Sequence, residues 1–161
     1  MWSSEVTNMI ITGIWETLYM TLVSTLVGYV IGLPMGIILT VSDKDGIKPN
    51  AVLYKILDVI ANIVRSVPFI ILLVLLIPFT RLVVGKSYGS TATIVPLVIA
   101  AAPYIARMVE SSLKEVDAGV IEAARSMGAS NFTIITKVML VEARTSLLVG
   151  ATITLGTILG Y

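Results

Sequence analysis

Ten carboxylates stand in this chain with no histidine and no cysteine. Imidazole bases, thiolate nucleophiles, disulfides and the usual zinc ligands are therefore excluded together. The carboxylates are scattered, and no pair is spaced for acid–base work. Val84-Gly85-Lys86-Ser87 has the ending of a phosphate-binding loop, but that motif needs a glycine where Thr80 stands. No nucleotide site is legible, so any ATP hydrolysis must come from another chain. Asn131-Phe132-Thr133 matches a glycosylation acceptor, but it falls on the inner side by the charge count below and is given no role. The informative run is Glu122-Ala123-Ala124-Arg125-Ser126-Met127-Gly128. It reads as a short helix that ends at a glycine, carries charge and stands among basic residues, which suits docking rather than catalysis.

The elements that must position this run are apolar. Hydrophobic residues make up 57% of the 161 positions and charged residues only 13%. A soluble domain has about 25% charged residues, so the solvent this chain expects is lipid. Its formal net charge of +1 does not imply nucleic acid as a partner. The N-terminal segment Met1-Trp2-Ser3-Ser4-Glu5 lacks the positive region of a signal peptide. Crossing a bilayer takes roughly 20 apolar residues in a helix. Four such spans are expected, at about 18–41, 56–80, 91–106 and 145–161. The last is barely long enough, which suggests a fragment or a protein that continues. A β-barrel is disfavoured because Ile70 to Ile77 is continuously apolar rather than alternating.

Lysine and arginine set the orientation. Lys44, Lys48, Lys55, Arg107, Lys114, Arg125, Lys137 and Arg144 fall on one side, and Arg81 and Lys86 on the other. The richer side is expected to be cytoplasmic, with the N-terminus outside. Ser24, Gly28, Gly32 and Gly36 recur every four residues and form a small-residue face for close helix packing, within the chain or across a dimer. Pro34 is expected to kink the first span, Pro68 and Pro78 to interrupt the second, and Pro96 and Pro103 the third. Arg65 is the most expensive residue in a span. With Ser66 and Pro68 it is a candidate pathway or latch element, against the alternative that it snorkels toward the interface.

From Arg107 to Arg144 the chain is too polar to span, yet patterned. Val120, Ile121, Ala124 and Met127 share one helical face. Asp117 can supply an N-cap oxygen, and Gly128 can take the left-handed conformation that ends a helix. Ala129-Ser130-Asn131 then forms a turn, with Ser130 capping a helix whose apolar face is Phe132, Ile135, Val138 and Met139. Such a corner fits a groove on a soluble partner or lies on the lipid surface.

Glu122-Ala123-Ala124, Gly128, Ile135 and Leu140 resemble the EAA loop of permease subunits of ABC importers. Val141 stands where that loop usually has proline. Glu16-Thr17-Leu18-Tyr19-Met20-Thr21, Asn62, Arg65-Ser66-Val67-Pro68-Phe69, Val95-Pro96-Leu97, Pro103-Tyr104-Ile105-Ala106-Arg107 and Ser112-Leu113-Lys114-Glu115-Val116-Asp117 are similar to methionine importer permeases. The resemblance implies an all-α polytopic bundle of the type I importer kind, with a fifth helix beyond this chain, in one transmembrane domain over residues 1–161. Within it, residues 107–144 would be a cytoplasmic coupling loop. Glu122, Ala123, Ala124, Ser126, Met127, Gly128 and Ala129 would dock on a separate ATPase subunit, which binds the ATP and magnesium. This chain would hold no cofactor or metal and would not itself be an enzyme. The implied partners are a second copy, cytoplasmic ABC ATPase subunits, an extracytoplasmic methionine-binding protein and the bilayer of the bacterial inner membrane. Another amino acid or a small peptide as substrate, or a membrane scaffold without transport, are the readings left beside it.

Overall fold

The structure is a computed structural model that describes residues 3–161. Met1 and Trp2 of the N-terminal segment read above lie outside them. The described residues are helical and contain no strand. Helix α1 (Ser4–Ser42) is capped by the Ser3 hydroxyl, which accepts from the Val6 N–H. At 1.5 Å per residue its 39 residues reach about 58 Å, well beyond the first span expected from hydropathy. Residues 3–19 stand exposed. Pro34 does not break the helix.

Helix α1 packs against α5 (Ser90–Lys114), and the match is set by two rows of equal period. Ser24, Gly28, Gly32 and Gly36 are buried on α1, and Leu97, Ala101, Ile105, Val109 and Leu113 are buried on α5. Both rows repeat every four residues, so one ridge seats along the other. The small-residue face is thus used inside this chain, against α5. A Cβ added at Gly32 would lie 2.7 Å from the Ala102 carbonyl oxygen, and one at Gly36 would lie 2.6 Å from that of Ala106. The backbones meet at a distance that only glycine permits. Pro96 and Pro103 stay inside α5 without ending it, as neighbours in a packed bundle allow.

The second expected span is not one rod. Helix α2 (Ala51–Ser66) stops at Val67, and α3 (Phe69–Leu75) leaves at 103° to it. Pro68 causes the break: it pushes Val67 to extended backbone, φ −84 and ψ 123, and lacks an N–H to continue the ladder. Helix α4 (Ile77–Val84) follows with Pro78 in its first turn. The remaining elements are α6 (Ala118–Ser126), α7 (Asn131–Thr133), a π-helical turn (Ile134–Met139), α8 (Leu140–Glu142) and α9 (Arg144–Leu159). The segment Asn131–Glu142 meets α9 at 69°. Two helices cross-length and apolar enough to span, α1 and α5, are unbroken, and four spans result if each bent pair counts as one.

Candidate functional site

The corner around Gly128 is built by local hydrogen bonds. Asp117 Oδ1 accepts from the Gly119 N–H at 2.7 Å and starts α6. At the other end the Gly128 N–H donates to the Arg125 carbonyl at 3.0 Å and the Ala129 N–H to the Ala124 carbonyl at 3.1 Å. This pair of reversed bonds requires a left-handed residue between them, and Gly128 supplies it with φ +81. Ser130 Oγ then accepts from the Thr133 N–H at 3.2 Å and starts α7.

The sequence-derived residues of α6 divide. Ala124 is buried, and Ile121 and Ala129 are half-buried against the core. Glu122, Ala123, Ser126 and Gly128 are exposed, and Met127 is 82% exposed. The expected apolar face is therefore split: Ile121 and Ala124 face inward, whereas Val120 and Met127 face out. Phe132, read as part of the apolar face of the next helix, is 75% exposed. The corner thus presents Met127, Phe132 and Val120 as free apolar contacts on an element held from behind.

Behind it lies a polar array that composition and spacing did not single out. The polar stretch beginning at Arg107 is not loop at its start: α5 continues to Lys114. Arg107 pairs with Asp58 of α2, and its Nη1 is 2.7 Å from Glu110 Oε2. Lys114 Nζ lies 2.8 Å from Glu110 Oε1 and 2.7 Å from Asp43 Oδ2. Tyr54 OH donates to Glu110 Oε1 at 3.2 Å, and Arg107 Nη2 donates to Asn62 Oδ1 at 3.2 Å. Glu110 is only 5% exposed. A buried charge is tolerable only when paired and hydrogen-bonded, and these partners carry the helix beyond its apolar run. Asp43 caps the C-terminal end of α1. Its hydrogen bond to Lys114 holds its carboxyl below the usual range, although partial burial opposes this. The clue available in the sequence was the spacing of Arg107, Glu110 and Lys114, which puts opposite charges three and four residues apart on one helix.

A cleft of about 800 Å³ separates α6 from the α1–α2 connection, with Asp43, Ile47, Lys114, Glu122 and Arg125 on its walls. Arg125 reaches across to the Ile47 carbonyl at 3.4 Å. Arg65, Ser66 and Pro68 lie at the α2–α3 bend and are exposed in the single chain. The Arg65 guanidinium stands 5.9 Å from the centre of the Tyr104 ring, close enough for a cation–π contact. Among the described residues no cluster of acidic side chains has the arrangement of a metal site.

Residues 28–161 match the family described as the inner membrane component of binding-protein-dependent transport systems. The chain belongs to that family. It is 54% identical over 153 residues to the D-methionine transport system permease protein MetI of Salmonella typhimurium, covering 95% of this chain and 70% of that protein. It is 46% identical over 160 residues to the probable D-methionine transport system permease protein MetI of Vibrio cholerae, covering 99% and 71%. Its fold matches a chain of the MetNI methionine ABC transporter in an inward-facing conformation, with a TM-score of 0.97 and 52% identity over 99% of this chain and 74% of that one. An amino acid ABC transporter at 24% identity shares the fold, with a TM-score of 0.76. The all-α permease architecture of type I ABC importers is thereby established for this chain, as is its place in a membrane transport system. Of the readings left beside each other by the sequence, transport is the one that these relatives share.

Proposed function

We propose that this permease moves methionine inward across the bacterial inner membrane, as one of two copies driven by two cytoplasmic ATPase subunits. Its likeness to the D-methionine permeases over 95% of its length carries the substrate assignment. The excess of lysine and arginine on one side supports an outside N-terminus and a cytoplasmic α6 corner. There Glu122, Ala123, Ser126, Met127 and Gly128 form the surface offered to the ATPase, and Ala124 and Ala129 fasten it to the bundle. Residues 107–144 work as the coupling region. ATP and magnesium belong to the ATPase, and an extracytoplasmic binding protein delivers the substrate. ATP binding draws the two ATPases together, each corner follows, and the bundle exchanges inward-facing for outward-facing states. Such a shift is only as large as the difference in affinity between the two states.

The test is uptake of labelled methionine into proteoliposomes that hold the permease, its ATPase and its binding protein, with ATP supplied or withheld. ATP-dependent accumulation competed by unlabelled D- or L-methionine is the expected result. ATP turnover without methionine flux would move the assignment to another amino acid or a small peptide.

A further inference from the structure

The five charges Asp43, Lys114, Glu110, Arg107 and Asp58 form an unbroken chain of alternating sign, and Glu110 is shared by both cations. Its two ends sit on different elements: Asp58 on α2 and Asp43 at the end of α1. Its middle sits on α5. Lys114 is the last residue of α5 and stands three residues before Asp117, the cap of the coupling helix. Arg125 ties the same helix to Ile47, in the connection that begins at Asp43.

We propose that Glu110 is a positioning residue for coupling: through Lys114 and Arg107 it makes the cytoplasmic ends of α1, α2 and α5 move with α6 as one body. The proposal rests on the importer reading above. Two physical arguments support it. Apolar contacts are non-directional and can slide, whereas charge-assisted hydrogen bonds fix direction as well as distance. A buried ion array is also a weak source of stability, since apolar residues of similar volume often serve as well. What the array supplies is a defined geometry beside the element that the ATPase pushes. Burial of Glu110 keeps salt from screening it.

Glu110→Gln keeps the shape and leaves Asp58–Arg107 and Asp43–Lys114 as separate pairs. In the reconstituted complex it is expected to lower methionine moved per ATP hydrolysed by about tenfold, the equilibrium equivalent of one charge-assisted hydrogen bond. Lys114→Met, at a more accessible position, is expected to do the same, and Lys114→Arg to restore the ratio. The second readout needs no substrate. The chain has no cysteine, so spin labels placed by Val52→Cys on α2 and Ala118→Cys on α6, in one of the two permease copies and with a cysteine-free ATPase, report one distance. That distance is expected to be narrow and unchanged by nucleotide in the parent complex, and to broaden in Glu110→Gln. An unaltered transport-to-ATP ratio in both Glu110→Gln and Lys114→Met overturns the relay. So does a Val52–Ala118 separation that changes by several ångströms with nucleotide in the parent complex. If the parent complex moves no methionine, the substrate reading fails while the label distance still judges the relay.

Discussion

Alanine in place of each small residue of α1 provides a graded test of the α1–α5 contact. At Gly36 a Cβ would stand 2.6 Å from both the Ala106 carbonyl oxygen and Val109 Cβ, against 3.4 Å for ordinary contact. The helices must open by about 0.8 Å, because one obstacle is backbone. Gly32 is similar, at 2.7 Å from the Ala102 carbonyl and 2.8 Å from Ile105 Cβ. At Gly28 the nearest atom is the end of the Ile105 side chain, 2.9 Å away, which can rotate. Gly13 has nothing within 4 Å. Overpacking costs about 1–3 kcal/mol, and relief of a helical glycine returns about 0.5–1 kcal/mol. Gly36→Ala and Gly32→Ala should therefore lose about 1–2 kcal/mol net. Gly28→Ala should be near neutral, and Gly13→Ala at or slightly above the parent. Using about 2–4 °C per kcal/mol, Gly36→Ala should melt roughly 2–10 °C below Gly13→Ala. Thermal unfolding of the purified permease in one detergent measures this. Equal melting temperatures for Gly13→Ala and Gly36→Ala would refute the close approach.

Gly128→Val forces a β-branched residue to φ near +81, a conformation that such residues rarely adopt. Substrate-stimulated ATP turnover by the complex should fall while the permease still inserts, and undiminished turnover would count against the corner. Met127→Ala and Phe132→Ala remove exposed apolar groups, so each should weaken ATPase binding severalfold in a pull-down titration with no loss of melting temperature. A parallel loss of both would make them core residues instead. Asp43 has a depressed carboxyl pKa, so its pair with Lys114 contributes stability above the unfolded value of 3.8, and that contribution is lost as pH falls through the folded value. Melts of parent and Asp43→Asn should thus differ at neutral pH and begin to converge as pH falls below about 3.8; a gap that does not narrow in acid would exclude the ion pair as its source.

The apolar runs made the helices legible, because a span is a composition before it is a structure. The four-residue row of Ser24, Gly28, Gly32 and Gly36 was visible for the same reason, and so were the caps Asp117, Gly128 and Ser130, whose side chains or backbone freedom act locally. What escaped needed a partner from elsewhere in the chain. Tyr54 meets Glu110 and Asp58 meets Arg107 only once α2 lies along α5, and Asp43 meets Lys114 only once α1 does, so no local pattern marks them. The end of α5 was placed too early because Arg107 and Lys114 count as polar in hydropathy, yet their charges are answered within the fold. Pro68 was recognised as an interruption, but the size of the 103° turn depends on what α3 packs against.

On the helix after Gly128, Ile135, Val138 and Met139 pack against the core as read, but Phe132 does not and Ile134 joins them. Phe132, Ile135, Val138 and Met139 share a side only if the helix keeps its α period. Ile134 and Met139 are the residues that become buried, five apart, which an α-helix would separate by about 140° around its axis. The π turn over Ile134–Met139 bonds residues five apart and so brings both toward the core. Leu140 and Ala143 then follow in register with the bundle, and Phe132 is released outward. A π turn is costly in isolation and tends to persist where it serves a site. Here it lets one short segment satisfy the core behind the corner while leaving an aromatic ring free on the side where Met127 also stands exposed. The change of helical period thus goes with the outward ring of Phe132, whereas Met127 and Val120 stand exposed on α6 ahead of it, so α spacing found the apolar residues of the corner but not which way each one faces.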